Sequence, residues 1–439
     1  MLNEVCKNDI KHFLISTFRN IGRSTLYKNA YYLIISNVLV TFLGFLYWNI
    51  MARYFSPKQV GIGAALISAA SLIAIISGFG LKVGIIRYMP ENSDTSSDFI
   101  NTTLNFVGFI SLMGSVIYLL GVHYWSPSLV MVRSNIETSI LFMIFTVVIS
   151  LSGIIDSAFI AVRASRYVLL KNSLINIMKI PIPVLLFGSM GGLGIFLGAG
   201  FGYMTGTIVA ILVFLPSIYK GYRPRLLMRK NLLKKILPYS LANYSANLLS
   251  MSPQFIYPLM VLNVLGPEES AYFYVAWMMT MVLSVIPSGI SQSLFTEGSH
   301  SPNKLNLIGY RVLYFSLIFT IPAVGLMILS GGWLLHFFGN GYSEHGRSVV
   351  NYLSLAIVPQ CINTLYLTIN QVRKQLYSII AQSSFLALVS LGIGYWMLGK
   401  IGLGGIGLAY LLGNALLAII IIKPLFNVLN EQNSVTNKF

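Results

Sequence analysis

The sequence predicts an all-α polytopic membrane protein, about twelve transmembrane helices in two six-helix lobes related as parallel repeats, with both termini on the cytoplasmic side. Composition is the first reason: 56% of the 439 residues are hydrophobic and 9% charged, with mean hydropathy +0.75, far from the balance of soluble domains. The second is that apolar runs of about 20 residues recur along nearly the whole chain, each able to cross about 30 Å of hydrocarbon at about 1.5 Å per residue. The third is that the sequence repeats itself at an offset close to 210 residues.

Taken in order, the spans are expected at residues 30–52, 59–81, 100–122, 138–161, 168–190, 193–218, 236–264, 269–293, 306–331, 348–370, 376–398 and 402–425. The resulting domains are a basic N-terminal segment (1–29), a first lobe (30–219), a basic linker (220–235), a second lobe (236–425) and a tail (426–439). In the first segment Ile10, Phe13, Leu14, Phe18 and Ile21 share one helical face opposite Lys11, Arg19, Asn20 and Arg23, the pattern either of a helix lying on anionic lipid or of an ordinary solvated tail. It has no signal-peptide h-region or cleavage site. The two cysteines, Cys6 and Cys361, build neither a disulfide framework nor a zinc site.

Orientation follows from charge. With the N-terminus in the cytoplasm, 23 of the 29 lysines and arginines fall on the inside and five, Arg53, Lys58, Arg133, Arg347 and Lys400, outside, so the positive-inside bias sets the topology in the cell membrane. Trp48, Trp125, Trp333 and Trp396 fall at outer span ends, where indole rings favour the headgroup level. The net charge of +17 is thereby accounted for by orientation and does not argue for nucleic acid. The densest cluster, "KGYRPRLLMRKNLLKK" (220–235), reads as a topogenic linker touching anionic membrane lipids.

The duplication is visible in three places. "RYFSPKQVG" (53–61) overlies "NVLGPEESA" (263–271), matching Pro57 with Pro267; Asn37 overlies Asn247; and "GAGFGYMTG" (198–206) matches "GIGLAYLLG" (405–413) at an offset of 207. Six spans return the chain to its starting side, so the halves are parallel repeats about an axis along the membrane normal. Two such bundles enclose a central cleft that rocking can open to either side.

Polar side chains within the spans mark the candidate site. Asn37, Thr41, Gly44 and Trp48 fall on one face of span one, and Asn243, Asn247, Ser250 and Gln254 repeat the spacing on span seven. Such stripes serve either helix packing or a wet cleft, and Pro253 is expected to break the hydrogen-bond ladder of span seven at the second. Lys179 lies midway along span five, where an ammonium costs about 2.5–3.5 kcal/mol on insertion scales. Asp156 is the one carboxylate well inside a span. It sits about 11 Å from Lys179 in depth, which leaves open an ion pair between the two, an anion-binding role for Lys179, or a span placed off register; Asp156 is also the candidate for ion coupling.

Catalytic, metal and cofactor motifs are not expected. "GLGGIG" (402–407) fits a dinucleotide fingerprint in letters, but it opens a span, follows no strand and lacks the distal acid. The five histidines form no ligand pair.

The stretch "NAYYLIISNVLVTFLGFLYWNIMARYFSPKQVGIGAALISAASLIAIISGFGLKVGIIRYMPE" resembles the N-terminal signature of oligosaccharide flippases of the multidrug/oligosaccharidyl-lipid/polysaccharide (MOP) exporter superfamily. Ala52, Arg53, Pro57, Gly61, Gly80, Leu81, Arg87, Tyr88 and Glu91 match, while Ser56 stands for a usual glycine and Val60 for a usual aromatic. The resemblance implies a MATE-like fold and alternating access. It implies movement of polyprenyl-(pyro)phosphate-linked oligosaccharide to the outer leaflet during polysaccharide assembly, with Na+ or H+ as candidate coupling ions and glycan polymerase machinery as a candidate partner. Lys179 and Arg53 would then counter phosphate, Asn37, Asn247 and Gln254 would hydrogen-bond sugar, and Lys82 and Arg87 would meet headgroups at the inner mouth. The alternatives are a cation-coupled multidrug exporter, disfavoured because spans one and seven carry no Asp or Glu, and a membrane glycan polymerase or ligase, disfavoured by short outer loops.

Overall fold

The computed structural model describes residues 25–89, 96–219, 221–300 and 305–430, all helix and turn, with no strand among them. The expectations for residues 1–24, which include Cys6, for Pro90 and Glu91, and for the end of the tail lie outside the described residues, as does the side chain of Asn243.

Among the described residues, eleven helices are long and apolar enough to cross a membrane. The first half begins with α1 (Thr25–Tyr54), α2 (Pro57–Ser77), α3 (Leu81–Tyr88) and α4 (Ser96–Trp125). It continues with α5 (Ile136–Ala161), α6 (Ser165–Lys179), α7 (Pro181–Phe187) and α8 (Gly192–Val209), the last running on through a π turn to Ile218. The second half is α9 (Lys230–Val264), α10 (Pro267–Met281), α11 (Val285–His300), α12 (Leu305–His336), α13 (Asn340–Val372), α14 (Leu376–Ile401) and α15 (Leu403–Asn430). The expected seventh span, α9, is not among the eleven. At 35 residues it is long enough, but its basic start and polar stripe dilute its hydropathy.

The repeat written in the sequence is repeated in shape. Helices α2 and α10 each start on the matched proline, and each breaks before a further helix on the same side, at residues 78–80 and 282–284. The entry turns differ. Ser56, in place of the resembled family's glycine, forms a capping box with Gln59, satisfying two free amides of the helix start; Gly266 enters α10 with φ +98°, a backbone open to glycine alone. Where the halves meet, a side chain at Gly61 would collide with the Pro267 carbonyl, whereas its counterpart at the 210-residue offset, Ala271, is buried and tolerated.

The stretch 77–89 combines a break with close packing. Phe79 and Gly80 both have positive φ (+44° and +67°), ending α2 and redirecting the chain into α3. Side chains at Gly80 or Gly84 would collide with Ser240, Tyr244 and Ile236 of α9, so this glycine pair sets how closely the halves approach on that edge.

One expectation is corrected, that for Trp48, and the structure adds detail to two others. Helix α9 runs unbroken through Pro238, Pro253 and Pro258, its neighbours α2, α3 and α14 holding it in place of the lost bonds. Trp48 is 5% exposed and belongs to the contact between halves, not to a headgroup belt; its ring lies 4.6 Å from that of Tyr274. Trp125, Trp333 and Trp396 are exposed as expected. Residues 222–229 of the linker are an extended strap fixed across α4: Asn101 donates to the Arg223 carbonyl, Asn105 to those of Arg225 and Leu227, and Arg229 pairs with Asp98.

Candidate functional site

A cavity of about 340 Å³ lies between the halves, lined from the first by Thr41, Gly44, Trp48, Ser68, Ser71 and Lys179, and from the second by Gln254, Phe255, Tyr274 and Trp277 together with methionines and valines around the α10 break. Its size falls in the range of about 300–1,000 Å³ usual for small-molecule sites. We call the end of the molecule that carries the 222–229 strap the basic face. Away from that face the cavity is sealed. Phe45 meets Phe338 edge-on at 5.2 Å, Asn49 and Arg53 donate to the Phe337 carbonyl at 2.9 and 3.3 Å, and Asn263 donates to the Trp125 carbonyl at 2.7 Å. Residues of both halves form one hydrophobic cluster here, including Tyr47, Met51 and Val60 with Tyr257, Trp277 and Phe338.

On α1, Thr41, Gly44 and Trp48 line the cavity, and Asn37, one turn nearer the basic face, is exposed, its carbonyl accepting from the Thr41 hydroxyl at 2.8 Å. On α9, Gln254 lines the cavity, Ser250 bonds Ser383 of α14 at 2.8 Å, and Asn247, two turns below Gln254 on the same face, is exposed. Both amides lie on the helix faces that carry the cavity residues, toward the basic face and outside the lined volume. Arg53 is placed differently from expectation. It is exposed and belongs to the seal, not to the cavity lining.

Lys179 is the one charged side chain among the described residues that line the cavity. It is the last residue of α6, and the helix restarts at Pro181 as α7; proline cannot donate to the ladder, so the chain is redirected at the lysine. Gly202 of α8 meets the Lys179 Cβ, giving α6 a close seat. The ammonium lies 4.9 Å from the centre of the Tyr47 ring, a cation–π contact of about 0.5–2 kcal/mol depending on desolvation. Tyr47 is itself fixed, its hydroxyl donating to the Ile195 carbonyl at 3.1 Å. Among the described residues no carboxylate or hydrogen-bond acceptor engages the Lys179 ammonium, so its three N–H donors remain for a guest.

Asp156 pairs with Lys171, not with Lys179. The Lys171 ammonium lies 2.9 Å from Oδ1 of Asp156 and donates to the Ser152 carbonyl at 2.8 Å and hydroxyl at 2.6 Å. Two of its hydrogens go to Ser152, its charge is paired with the carboxylate, and Lys171 is fully buried. Sequence reasoning counted Lys171 with the inner-face charges and missed its burial; the available signal was its place eight residues before Lys179 on the same helix. Lys82 lies across Gly153 of α5, close enough to Asp156 to interact electrostatically. It keeps exposed surface although protein surrounds it on most sides, the situation of a group on a cleft wall. Arg87, one face further along α3, is exposed with its guanidinium 5.7 Å from the Tyr88 ring. No cluster among the described residues could hold a metal ion.

Two repeated bundles around a cleft are the fold of solved MOP superfamily transporters. An inward-facing multidrug resistance MATE transporter of the MOP superfamily superposes with TM-score 0.67 at 14% identity, covering 89% of this chain and 96% of that one. A lipid II flippase MurJ in an inward closed conformation gives 0.69 at 16%, covering 92% of each. A MOP superfamily transporter from Pyrococcus furiosus, described as having a binding pocket of reverse polarity, gives 0.62 at 15%, covering 94% and 98%. Among curated proteins no sequence matches. The family described as "Polysaccharide biosynthesis protein" matches residues 26–295, and the chain belongs to that family.

Proposed function

We propose that this protein is a flippase that moves a polyprenyl-(pyro)phosphate-linked oligosaccharide from the inner to the outer leaflet of the cytoplasmic membrane by alternating access, with both termini cytoplasmic. One observation carries the reading: the only charge on the described lining of the inter-lobe cavity is an ammonium whose hydrogen-bond donors are unused. A cationic drug would be repelled by Lys179, and α1 and α9 offer it no carboxylate. A phosphate gains charge-assisted hydrogen bonds, while Thr41, Ser68, Ser71 and Gln254 suit hydroxyl-rich cargo and Asn37 and Asn247 extend the amide path toward the basic face. The family's polysaccharide role and the flippase activity named for one fold neighbour support the same reading. Lys82 and Arg87 would receive the headgroup at the rim, and the paired Asp156 is a weaker candidate for ion coupling, because the Lys171 ammonium already engages it.

The lobes would be 30–219 and 236–425, joined by the 220–235 linker. Nothing in this scheme asks for bond making or breaking, so the protein acts as a transporter and not an enzyme. Depletion in the native host tests it. A lipid-linked oligosaccharide should accumulate on the cytoplasmic leaflet, and wild type but not Lys179→Ala should clear it; unchanged glycan export with lost dye efflux would transfer the assignment to a multidrug exporter.

A further inference from the structure

A second cavity, about 350 Å³, opens on the basic face away from the inter-lobe space, lined by Asn29, Tyr32, Arg163, Ala164, Arg166, Tyr167, Ser217 and Ile218. It lies where the α5–α6 turn meets the start of α1 and the end of the α8 span. Two guanidinium groups and three hydroxyls face it, and its lining contains no carboxylate.

The arginines are held differently. Arg163 occupies a left-handed backbone position (φ +56°), which non-glycine residues seldom adopt without a reason in the surroundings, and among the described residues no hydrogen bond or ion pair engages its guanidinium. Arg166 is oriented. Its guanidinium lies 4.6 Å from the Tyr167 ring centre and donates to the Tyr167 hydroxyl at 2.8 Å. The Ser217 hydroxyl donates to the Tyr167 hydroxyl at 3.1 Å and is held in turn by the Phe214 carbonyl at 2.7 Å. This chain of bonds fixes Arg166 while leaving its other N–H groups for the cavity. Asn29 caps the Ser165 amide at 3.0 Å, tying α1 to the turn.

The second half repeats the turn but not the site: Lys374 takes the matching left-handed position (φ +58°), yet the position three residues on is an exposed tyrosine, Tyr377, instead of an arginine. The chemistry is therefore particular to the first half and does not follow from the shared topology. We propose that this cavity binds the phosphate of an anionic membrane lipid through Arg163 and Arg166. Planar guanidinium forks match phosphate oxygens in pairs, and Tyr32 and Ile218 offer apolar contact to the glycerol end. The site is separate from Lys179 and does not rest on the transport reading.

The test uses the full chain in phosphatidylcholine nanodiscs, with phosphatidylglycerol titrated in and bound lipid counted by native mass spectrometry. Wild type should retain phosphatidylglycerol in preference to phosphatidylcholine. The Arg163→Ala/Arg166→Ala protein should lose that preference by about tenfold or more, and Lys179→Ala should keep it. Tyr167→Phe, which frees Arg166 without removing charge, should weaken retention by about threefold; it serves as the reading should the double variant fail to fold. Equal retention by wild type and by the double or Tyr167→Phe variant would overturn the site. Displacement by millimolar inorganic phosphate, with no preference among lipids, would assign the pocket to soluble phosphate and overturn the lipid assignment.

Discussion

In the first half, α6 carries Lys171 and Lys179 into the membrane and α5 brings Asp156 to the former. In the second half, the corresponding layer of α13, α14 and α15 is neutral: Asn363 donates to the carbonyl and side chain of Asn414 at 3.0 and 3.1 Å, Gln382 donates to the Asn363 carbonyl at 2.7 Å, and Asn414 donates to the Tyr410 carbonyl at 3.0 Å. The helix contact that seats the cavity lysine shows the same difference. Gly202 meets Lys179, whereas Ala409, its counterpart at the 207-residue offset, meets Gly394. Duplication thus supplies the frame, and one copy supplies the charge. On the proposed reading, a buried amide network needs no counter-ion and would stay rigid while the halves rock, and a free ammonium at the junction would give an anionic guest a differential contact with the open and closed states.

The largest expected effect concerns that ammonium. Lys179→Ala should lower oligosaccharide export by about 100-fold at unchanged protein level, since a lost charge-assisted bond in a dry site costs about 3 kcal/mol, and Lys179→Arg should retain part of it. Full export by the alanine variant, measured as surface glycan, would remove Lys179 from the path and with it the asymmetry's functional meaning.

The next concerns the buried pair. Asp156→Asn leaves the Lys171 charge without its counter-ion, at a cost of about 3–5 kcal/mol, seen as a lower melting temperature in detergent. Adding Lys171→Met should recover most of it, because an apolar residue of similar length replaces a desolvated ion. If the double variant regains stability but not export, Asp156 has a role in the cycle beyond pairing. In the neutral lobe, Asn414→Leu should cost about 1–3 kcal/mol, the penalty of stranding the Asn363 amide, with a smaller loss of export than any change at Lys179.

Much of this was legible from the residues. Hydropathy fixed the class, matched prolines and glycines exposed the duplication, and residue spacing put Thr41, Gly44, Trp48 and Gln254 on faces that do meet across a cavity. What escaped was whatever depends on how helices turn against one another. Lys171 reads as one more inner-face cation, and it takes the close approach of Gly206 to Ile175 and the Lys171 carbonyl to seat α6 so that the side chain sinks beside Asp156. Trp48 has the depth of a headgroup anchor, but depth does not say which side of a helix faces the partner half. Arg53 matches a family motif, yet a motif match carries no direction, and the side chain reaches the Phe337 carbonyl instead of the cavity. The arginine cavity on the basic face joins three segments far apart in the chain, beyond the reach of any local spacing.

The smallest effect, and the most informative about motion, lies at the seal. Asn49 and Arg53 share one acceptor, the Phe337 carbonyl, and each bond contributes about 1 kcal/mol, a factor of about five in a two-state equilibrium. Removing either by alanine substitution should move the population toward opening on the sealed face and closing toward the basic face. A single cysteine at Asn37, in a chain whose Cys6 and Cys361 are replaced by serine, should then react more slowly with a membrane-impermeant maleimide, while one at Phe45 should react faster. Opposite shifts at the two positions would show that the exposed amide stripe and the aromatic seal are ends of one rocking motion. Parallel shifts would mean that the seal loosens locally, and the halves would have to be treated as independently breathing bundles.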